Sequence, residues 1–241
     1  MVTPLTDRIR AVKAEIRRSC EQADRNPDDV TLVAVSKMHP ASTVLEAVEA
    51  GLHHFGENRV EEAADKIATV TAQTSEPLVW HMIGHIQSRK ARDVAPLFAM
   101  VHSVDSVKLA SKLAQALPEG RNLAVLLECN VSGEESKGGF EASEWAHDPA
   151  VLADIAHSLR EISALPGLTV RGLMTMAPIA EDMEDVRPVF RSLRLLRDAL
   201  EQNCHSALPV LSMGMSDDFP VAIEEGATMV RVGRALFGER Q

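Results

Sequence analysis

Thr31-Leu-Val-Ala-Val-Ser-Lys37, followed by Met38, His39 and Pro40, is the stretch from which the rest of the chain can be read. Its uncharged run of β-branched and aliphatic residues predicts a strand buried on both faces, as in a parallel sheet covered by helices. A single lysine stands where that strand ends. In folds built on parallel strands the carboxyl ends carry the chemistry, and an amine held there with little water is suited to form a Schiff base with an aldehyde. On position alone the same lysine also reads as a solvated strand end, since most lysines lie at the surface.

Outward from this strand the pattern alternates. Residues Thr6 to Asp24 put Ile9, Val12, Ile16 and Cys20 on one helical face, which predicts an amphipathic helix ahead of the first strand. After Pro40 a helix runs from Ala41 to Ala50 and stops at Gly51, a suitable residue for the left-handed position that ends a helix. Strands follow at Leu52–Phe55, Leu78–Ile83, Met100–Val104, Leu123–Cys129, Thr169–Met174, Pro209–Ser212 and Thr228–Val232. Between them lie helices at Asn58–Val70, Gln87–Leu97, Ser106–Leu117, one entered through Asp148-Pro149, Glu184–Asn203 and a short one ending at Gly226. Parallel neighbours require crossover helices, so eight such units predict an α/β chain, a single (β/α)8 TIM barrel over residues 1–241 with an extra N-terminal helix. A doubly wound sheet would carry a G-x-G-x-x-G turn after its first strand, and none is present there. Asn130 to His147 reads as a long, mobile loop on the functional face.

Composition narrows the function. No apolar run approaches the ~20 residues that span a bilayer, and Met1 to Arg8 lacks the apolar core of a secretion signal, so a cytoplasmic protein with no membrane contact is expected. Cys20, Cys129 and Cys204 are far apart and read as free thiols of a reducing compartment. A formal charge of −10 argues against nucleic acid and requires any anionic ligand to have its own local pocket.

Such a pocket is legible in Ser212-Met-Gly-Met-Ser216 and Arg231-Val-Gly-Arg-Ala235. Turns after the seventh and eighth strands of a barrel are its usual phosphate site, where glycines let the backbone approach and amides meet the anion. Asp217 and Asp218 would repel a phosphate, so they are assigned to the dipole of their own helix with Ser216 as its N-cap, and the phosphate to the amides near Gly233 and Arg234, helped by Ser212 and Gly214. An ordinary tight turn explains either loop alone equally well. A Schiff-base lysine and a phosphate cup at one end of a barrel together suit pyridoxal 5'-phosphate, a planar aldehyde with a dianionic tail. Arg231 is then the candidate partner of the cofactor's ring nitrogen; it cannot accept the ring proton and opposes protonation of that nitrogen. His81 and His85 are four apart but lack the glutamate and helix of a zinc motif, and no G-x-S-x-G elbow occurs.

Leu32-Val-Ala-Val-Ser-Lys37, Phe55-Gly-Glu-Asn58, Trp80-His-Met-Ile-Gly84 with Gln87, and Asn130 to Lys137 resemble, in this order, segments of the pyridoxal phosphate homeostasis protein family. So do Arg171 to Met176, Leu211 to Ser216, Met229 to Gly233 and Phe237-Gly238. Members of that family look like the isolated barrel of alanine racemase. The resemblance implies that Lys37 holds the cofactor, that Asn58 and His81 line its pocket, and that Ser212, Met213, Gly214, Gly233 and Arg234 surround the phosphate with Arg231 at the ring nitrogen. Two departures are Arg89, where the family often has asparagine, and Arg234, where it often has threonine; the second exchanges a hydroxyl contact for a cationic one. The family implies storage, delivery or regulation of pyridoxal 5'-phosphate, with apo forms of enzymes that use it as recipients. The rival readings are an amino-acid racemase, whose second acid/base is a tyrosine that this chain does not contain, and a lysine-dependent aldolase. A monomer is expected, since no helix leaves an apolar face exposed.

Overall fold

The computed structural model describes residues 3–238. Helix α1 (Leu5–Gln22) precedes β1 (Thr31–Val35), α2 (Ala41–Glu49), β2 (His54–Glu57), α3 (Val60–Thr71), β3 (Val79–Met82), α4 (Ala91–Val94) and β4 (Met100–Val104). Then come α5 (Val107–Ala116), β5 (Leu123–Asn130), β6 (Phe140–Glu141), α6 (Pro149–Ser163), β7 (Leu168–Met174), α7 (Arg187–Cys204), β8 (Val210–Ser212), α8 (Phe219–Glu224), β9 (Met229–Val232) and α9 (Arg234–Phe237). Among the described residues, eight strands pair in parallel in the order β4, β3, β2, β1, β9, β8, β7, β5, and β5 pairs back to β4. The sheet therefore closes into the expected (β/α)8 barrel, with α1 as the extra helix. α1 buries Ile9, Val12, Ile16 and Cys20 and packs on α8 and α9, where the barrel's first and last units meet.

Local chemistry explains most boundaries. Ser106 caps α5 by accepting from Leu109 N, Asp148 caps α6 by accepting from Ala150 N with Pro149 following, and Gly51 and Gly226 take positive φ just past α2 and α8. Three expectations are corrected. The helix after β3 is a 3₁₀ turn, Ser88–Lys90, and then only Ala91–Val94; β2 lies two residues later than the apolar run suggested, because Leu52 packs beneath the helices while His54, Gly56 and Glu57 enter the sheet. The stretch from Asn130 to His147 is not wholly irregular, since Phe140–Glu141 adds a short parallel strand, β6, to β5 outside the barrel.

The main core lies between the barrel and its helices, and a second, smaller one fills the lumen with Val33, Leu126, Met174, Val210 and Met229, flanked by Met100 and Met176. The lumen is not purely apolar. His102 on β4 bonds to Ser212 on β8, two strands that are not neighbours, so this contact crosses the barrel. Between β5 and β7 the register slips at Val125 and Leu126, which pair with Val170 and Gly172 and leave Arg171 as a bulge pointing to solvent. Gly172 has φ +155°, and a Cβ there would run into the carbonyl of Val210 on β8. Gly172→Ala is expected to lower the free energy of unfolding by about 1–3 kcal/mol, as overpacking does, measured as a fall in the urea midpoint at unchanged slope.

Candidate functional site

Lys37 lies in a turn two residues past the end of β1 and is half-buried. The residues on both sides of it are tied down. The Lys66 ammonium, on α3, donates to Ser36 O at 2.7 Å, Glu57 Oε1 at 2.7 Å and Glu62 Oε1 at 2.8 Å. Ser36 Oγ also donates to Glu57 Oε1 at 2.7 Å, and the amide of Met38 donates to Glu62 Oε1. Met38 has φ +65°, a left-handed conformation that non-glycine residues enter at a cost of about 1–2 kcal/mol, and this amide bond holds it there. Glu57 and Lys66 are both buried, and burial pushes the Glu57 carboxyl above its ordinary value although Lys66 and Ser36 pull it back. Burial also raises Glu62, but the bonds from Lys66 and Met38 bring it below the usual value overall. Glu57 Oε2 finds no partner among the described residues.

The turns after β8 and β9 form one connected unit. Gly214, at φ +92°, is required twice over: a Cβ there would lie 2.7 Å from the Ala222 side chain and 2.8 Å from Phe219 Cα. Gly214 O accepts from Arg231 N at 2.9 Å. Ser216 does not cap α8. Its hydroxyl accepts from Gly233 N at 3.3 Å and Ala235 N at 3.2 Å and so caps α9, while Asp218 accepts from the Met215 amide and stands at the start of α8. Asp217 likewise turns away from its own helix and pairs with Arg234. The cationic contact expected from Arg234 is thus held by a carboxylate at the rim. The Met213 side chain is in the core and its amide donates to Met229 O, leaving it to shape the turn.

Arg231 is nearly inaccessible at 4% exposure, with Nη1 donating to Ser212 Oγ at 2.6 Å and Nη2 to Thr175 O at 2.9 Å. Burial lowers its pKa to about 10, against the opposing pull of Asp218 and Glu128, so it remains a guanidinium at neutral pH. Ser212, expected beside the phosphate, is fully buried and its hydroxyl is shared between Arg231 and His102. His81, expected in the pocket wall, is also fully buried, with Nδ1 at 2.9 Å from His102 Nε2 and Nε2 at 3.0 Å from His54 Nδ1. Burial, together with His54, pushes His81 down to about 3, and burial drives His102 well below the ordinary value, so both imidazoles are neutral. Asn58 follows β2 and has a buried Oδ1 without a partner among the described residues. Its backbone presses against Gly84, where a Cβ would come within 2.7 Å of Asn58 Cα.

The structure therefore brings Lys37, Arg231, Gly214, Gly233 and Arg234 to the carboxyl end of one barrel, and sets Ser212 and His81 beneath. Sequence reading missed the roles of Glu57, Glu62 and Lys66, which steady the lysine turn, and of Glu128, and it gave Asp218 only to its own helix; the charge of both carboxylates acts on Arg231. Only the i, i+4 spacing of Glu62 and Lys66 was visible in advance. Among the described residues, no group of three or more histidine, cysteine and carboxylate side chains is placed to hold a metal ion. Lys137 pairs with Glu134 at 3.7 Å in the loop after β5. The donor set suits a planar aldehyde with an anionic tail: an amine in a fixed turn, a buried guanidinium, two close-approach glycines and an orphaned buried oxygen on Asn58.

The family model of the alanine racemase N-terminal domain matches residues 8–241. The chain is 42% identical over 236 residues to a pyridoxal phosphate homeostasis protein of Aquifex aeolicus, covering 98% of each. It superposes on PipY of Synechococcus elongatus, solved with PLP bound, at a TM-score of 0.81 with 35% identity, covering 98% of this chain and all of that one. Alanine racemase of Corynebacterium glutamicum shares the fold at 17% identity and a TM-score of 0.64; this chain covers 60% of its length.

Lys66→Met leaves Glu57 buried without its cation, and is expected to destabilise the protein by about 3–5 kcal/mol. Pairing it with Glu57→Gln should recover part of that loss in a double-mutant cycle by urea unfolding; strictly additive effects would show that the two side chains act apart.

Proposed function

The chain belongs to the alanine racemase N-terminal domain family, among its pyridoxal phosphate homeostasis proteins, and from that premise we propose that it holds pyridoxal 5'-phosphate as a Schiff base on Lys37 and serves cofactor storage, delivery or regulation without a robust reaction of its own. One observation carries the reading: the tethered Lys37 turn and the two glycine turns after β8 and β9 lie at the same, carboxyl end of a closed barrel. When bound, the cofactor supplies an aldehyde and an electron-withdrawing ring. The chain's own residues do the rest. Lys37 provides the amine, its approach set by the Lys66 clamp on Ser36 and by Met38. The turns at Met213-Gly214 and Gly233-Arg234 receive the phosphate, with the Asp217 partner of Arg234 giving way to it. Arg231, donor only, would stand at the ring nitrogen and oppose its protonation, weakening the electron sink that racemases and transaminases exploit. Ser212 and the Thr175 carbonyl hold Arg231 from below, with His102 and His81 behind Ser212, and Asn58 lines the pocket wall.

The absence of tyrosine from the whole sequence supports the non-catalytic reading, because no phenol is available as a second acid/base. We read residues 1–241 as a single domain acting as a monomer in the cytoplasm, with apo enzymes that require the cofactor as recipients and no nucleic acid or membrane as partner. Among the described residues, no helix is long and apolar enough to cross a membrane.

Incubation with pyridoxal phosphate is expected to give the wild type a visible absorbance that Lys37→Ala lacks. A wild type that stays colourless after incubation would remove the cofactor assignment and favour an aldolase. Alanine followed by polarimetry should keep its optical activity; racemisation at about 1 s⁻¹ or faster, an ordinary enzyme rate, would overturn the carrier reading.

A further inference from the structure

We propose that His54, His81 and His102 are positioning residues that couple protonation at the amino end of the barrel to the hydroxyl of Ser212 and, through it, to Arg231. The inference deepens the reading above only in that Arg231 faces the cofactor; the coupling itself is a property of the chain. Three contacts make the path continuous: His54 Nδ1 to His81 Nε2 at 3.0 Å, His81 Nδ1 to His102 Nε2 at 2.9 Å, and His102 Nδ1 to Ser212 Oγ at 2.9 Å. Arg231 completes it by donating to the same oxygen at 2.6 Å. The path runs through the lumen from the first residue of β2 to the last of β8.

A neutral imidazole has one donor and one acceptor nitrogen, so a chain of them has only two polarities. Arg231 can only donate to Ser212, and among the described residues the sole acceptor bonded to the buried Ser212 hydroxyl is His102 Nδ1. An unpaired buried hydroxyl costs about 1–3 kcal/mol, which selects the first polarity while all three histidines are neutral. Ser212 donates to His102 Nδ1, His102 Nε2 donates to His81 Nδ1, and His81 Nε2 donates to His54 Nδ1. His54 is then left with its Nε2–H directed out of the chain.

Of the three, His54 alone is partly exposed, beside a cleft of about 380 Å³ at the amino ends of the strands. The groups around it are Lys13 and Arg17 of α1, Asp28 before β1, neighbouring His53, and His81 of β3. Burial and His53 hold its pKa below the ordinary histidine value. Once charged, His54 must donate from both nitrogens. His81 Nε2 then has to accept, so His81 and His102 each exchange one neutral tautomer for the other, and His102 Nδ1 becomes a donor to Ser212. The Ser212 oxygen receives two hydrogen bonds and its own proton turns away from His102. One proton is gained overall, and the charge stays on His54.

The test is long-range 1H–15N NMR of the histidine side chains in the protein labelled with 15N-histidine and free of cofactor. At neutral pH, His102 and His81 should both carry their proton on Nε2. As pH falls through the His54 titration, below about 6.5, both should switch to Nδ1–H in the same transition while remaining neutral. In His54→Gln, whose amide cannot be protonated in this range, His102 should keep one tautomer throughout. Tautomers that never change across the His54 titration, or a His102 already protonated on Nδ1 at neutral pH, would overturn the coupling, and wild type alone decides this if the variant does not fold. With pyridoxal phosphate added, any visible absorbance should shift with the same midpoint in wild type and not in His54→Gln. A protein that shows the NMR switch but no absorbance would retain the relay and lose the cofactor reading.

Discussion

The contacts of the Lys66 ammonium are the interaction on which the turn at Lys37 depends. The ammonium reaches from α3 to the backbone of Ser36 and to two carboxylates, and one of those carboxylates fixes the amide of Met38. The residue between them is Lys37. Holding a charged pair in a dry interior costs several kcal/mol for each ion, and the attraction between the two offsets this only when the geometry is good and the remaining polar sites are bonded. Here the ammonium has three acceptors, while Glu57 keeps one unsatisfied oxygen. An apolar pair of similar volume could stabilise the fold as well. It could not define the turn, because only directional bonds to Ser36 and Glu62 choose its shape.

The lumen tells a similar story with neutral groups. A barrel core of this kind is ordinarily packed with branched aliphatic layers, yet here three histidines, a serine and an arginine run through it. His81 and His102 escape the cost of buried charge by staying neutral, each with one nitrogen to donate and one to accept. Arg231 cannot do this and is instead supported by Ser212, the Thr175 carbonyl and the charges of Asp218 and Glu128. The arginine is thereby built into the floor of the site as a rigid donor and has little freedom to act as a mobile side chain.

Much of the site was legible in advance, unevenly. Lys37 and the glycine turns declare themselves because a buried strand followed by a polar residue, or a glycine where φ must be positive, leaves a local mark. Arg231 was visible as the charged residue at the end of the last strand. The orientation of neighbouring side chains was not. Ser216 follows a strand and precedes a helix, as an N-cap of that helix would, yet its hydroxyl caps the next one because the turn carries it across to Gly233. Ser212 and His81 belong to recognisable segments, and their placement beneath the pocket depends on which way each strand is rolled in the closed barrel. The short helix after β3 was overestimated because Gln87 to Leu97 has helical spacing, while the 3₁₀ turn takes Ser88–Lys90 and the α-helix only Ala91–Val94.

By itself the sequence determined the order and kind of the elements, the cap at Asp148, the parallel closed architecture and the place of Lys37 just past the first strand. These follow from forces that act within a few residues: periodic burial, orphaned helix-end amides and the freedom of glycine. Only the tertiary structure decided which polar groups meet. Ser212 lies 110 residues from His102 and faces it across the lumen because eight tilted strands close on themselves. A period of two shows that a side chain points inward, but not what stands opposite. Lys37 was present in the first stretch quoted; its fixed turn required Glu57, Glu62 and Lys66, which the barrel and α3 bring to it.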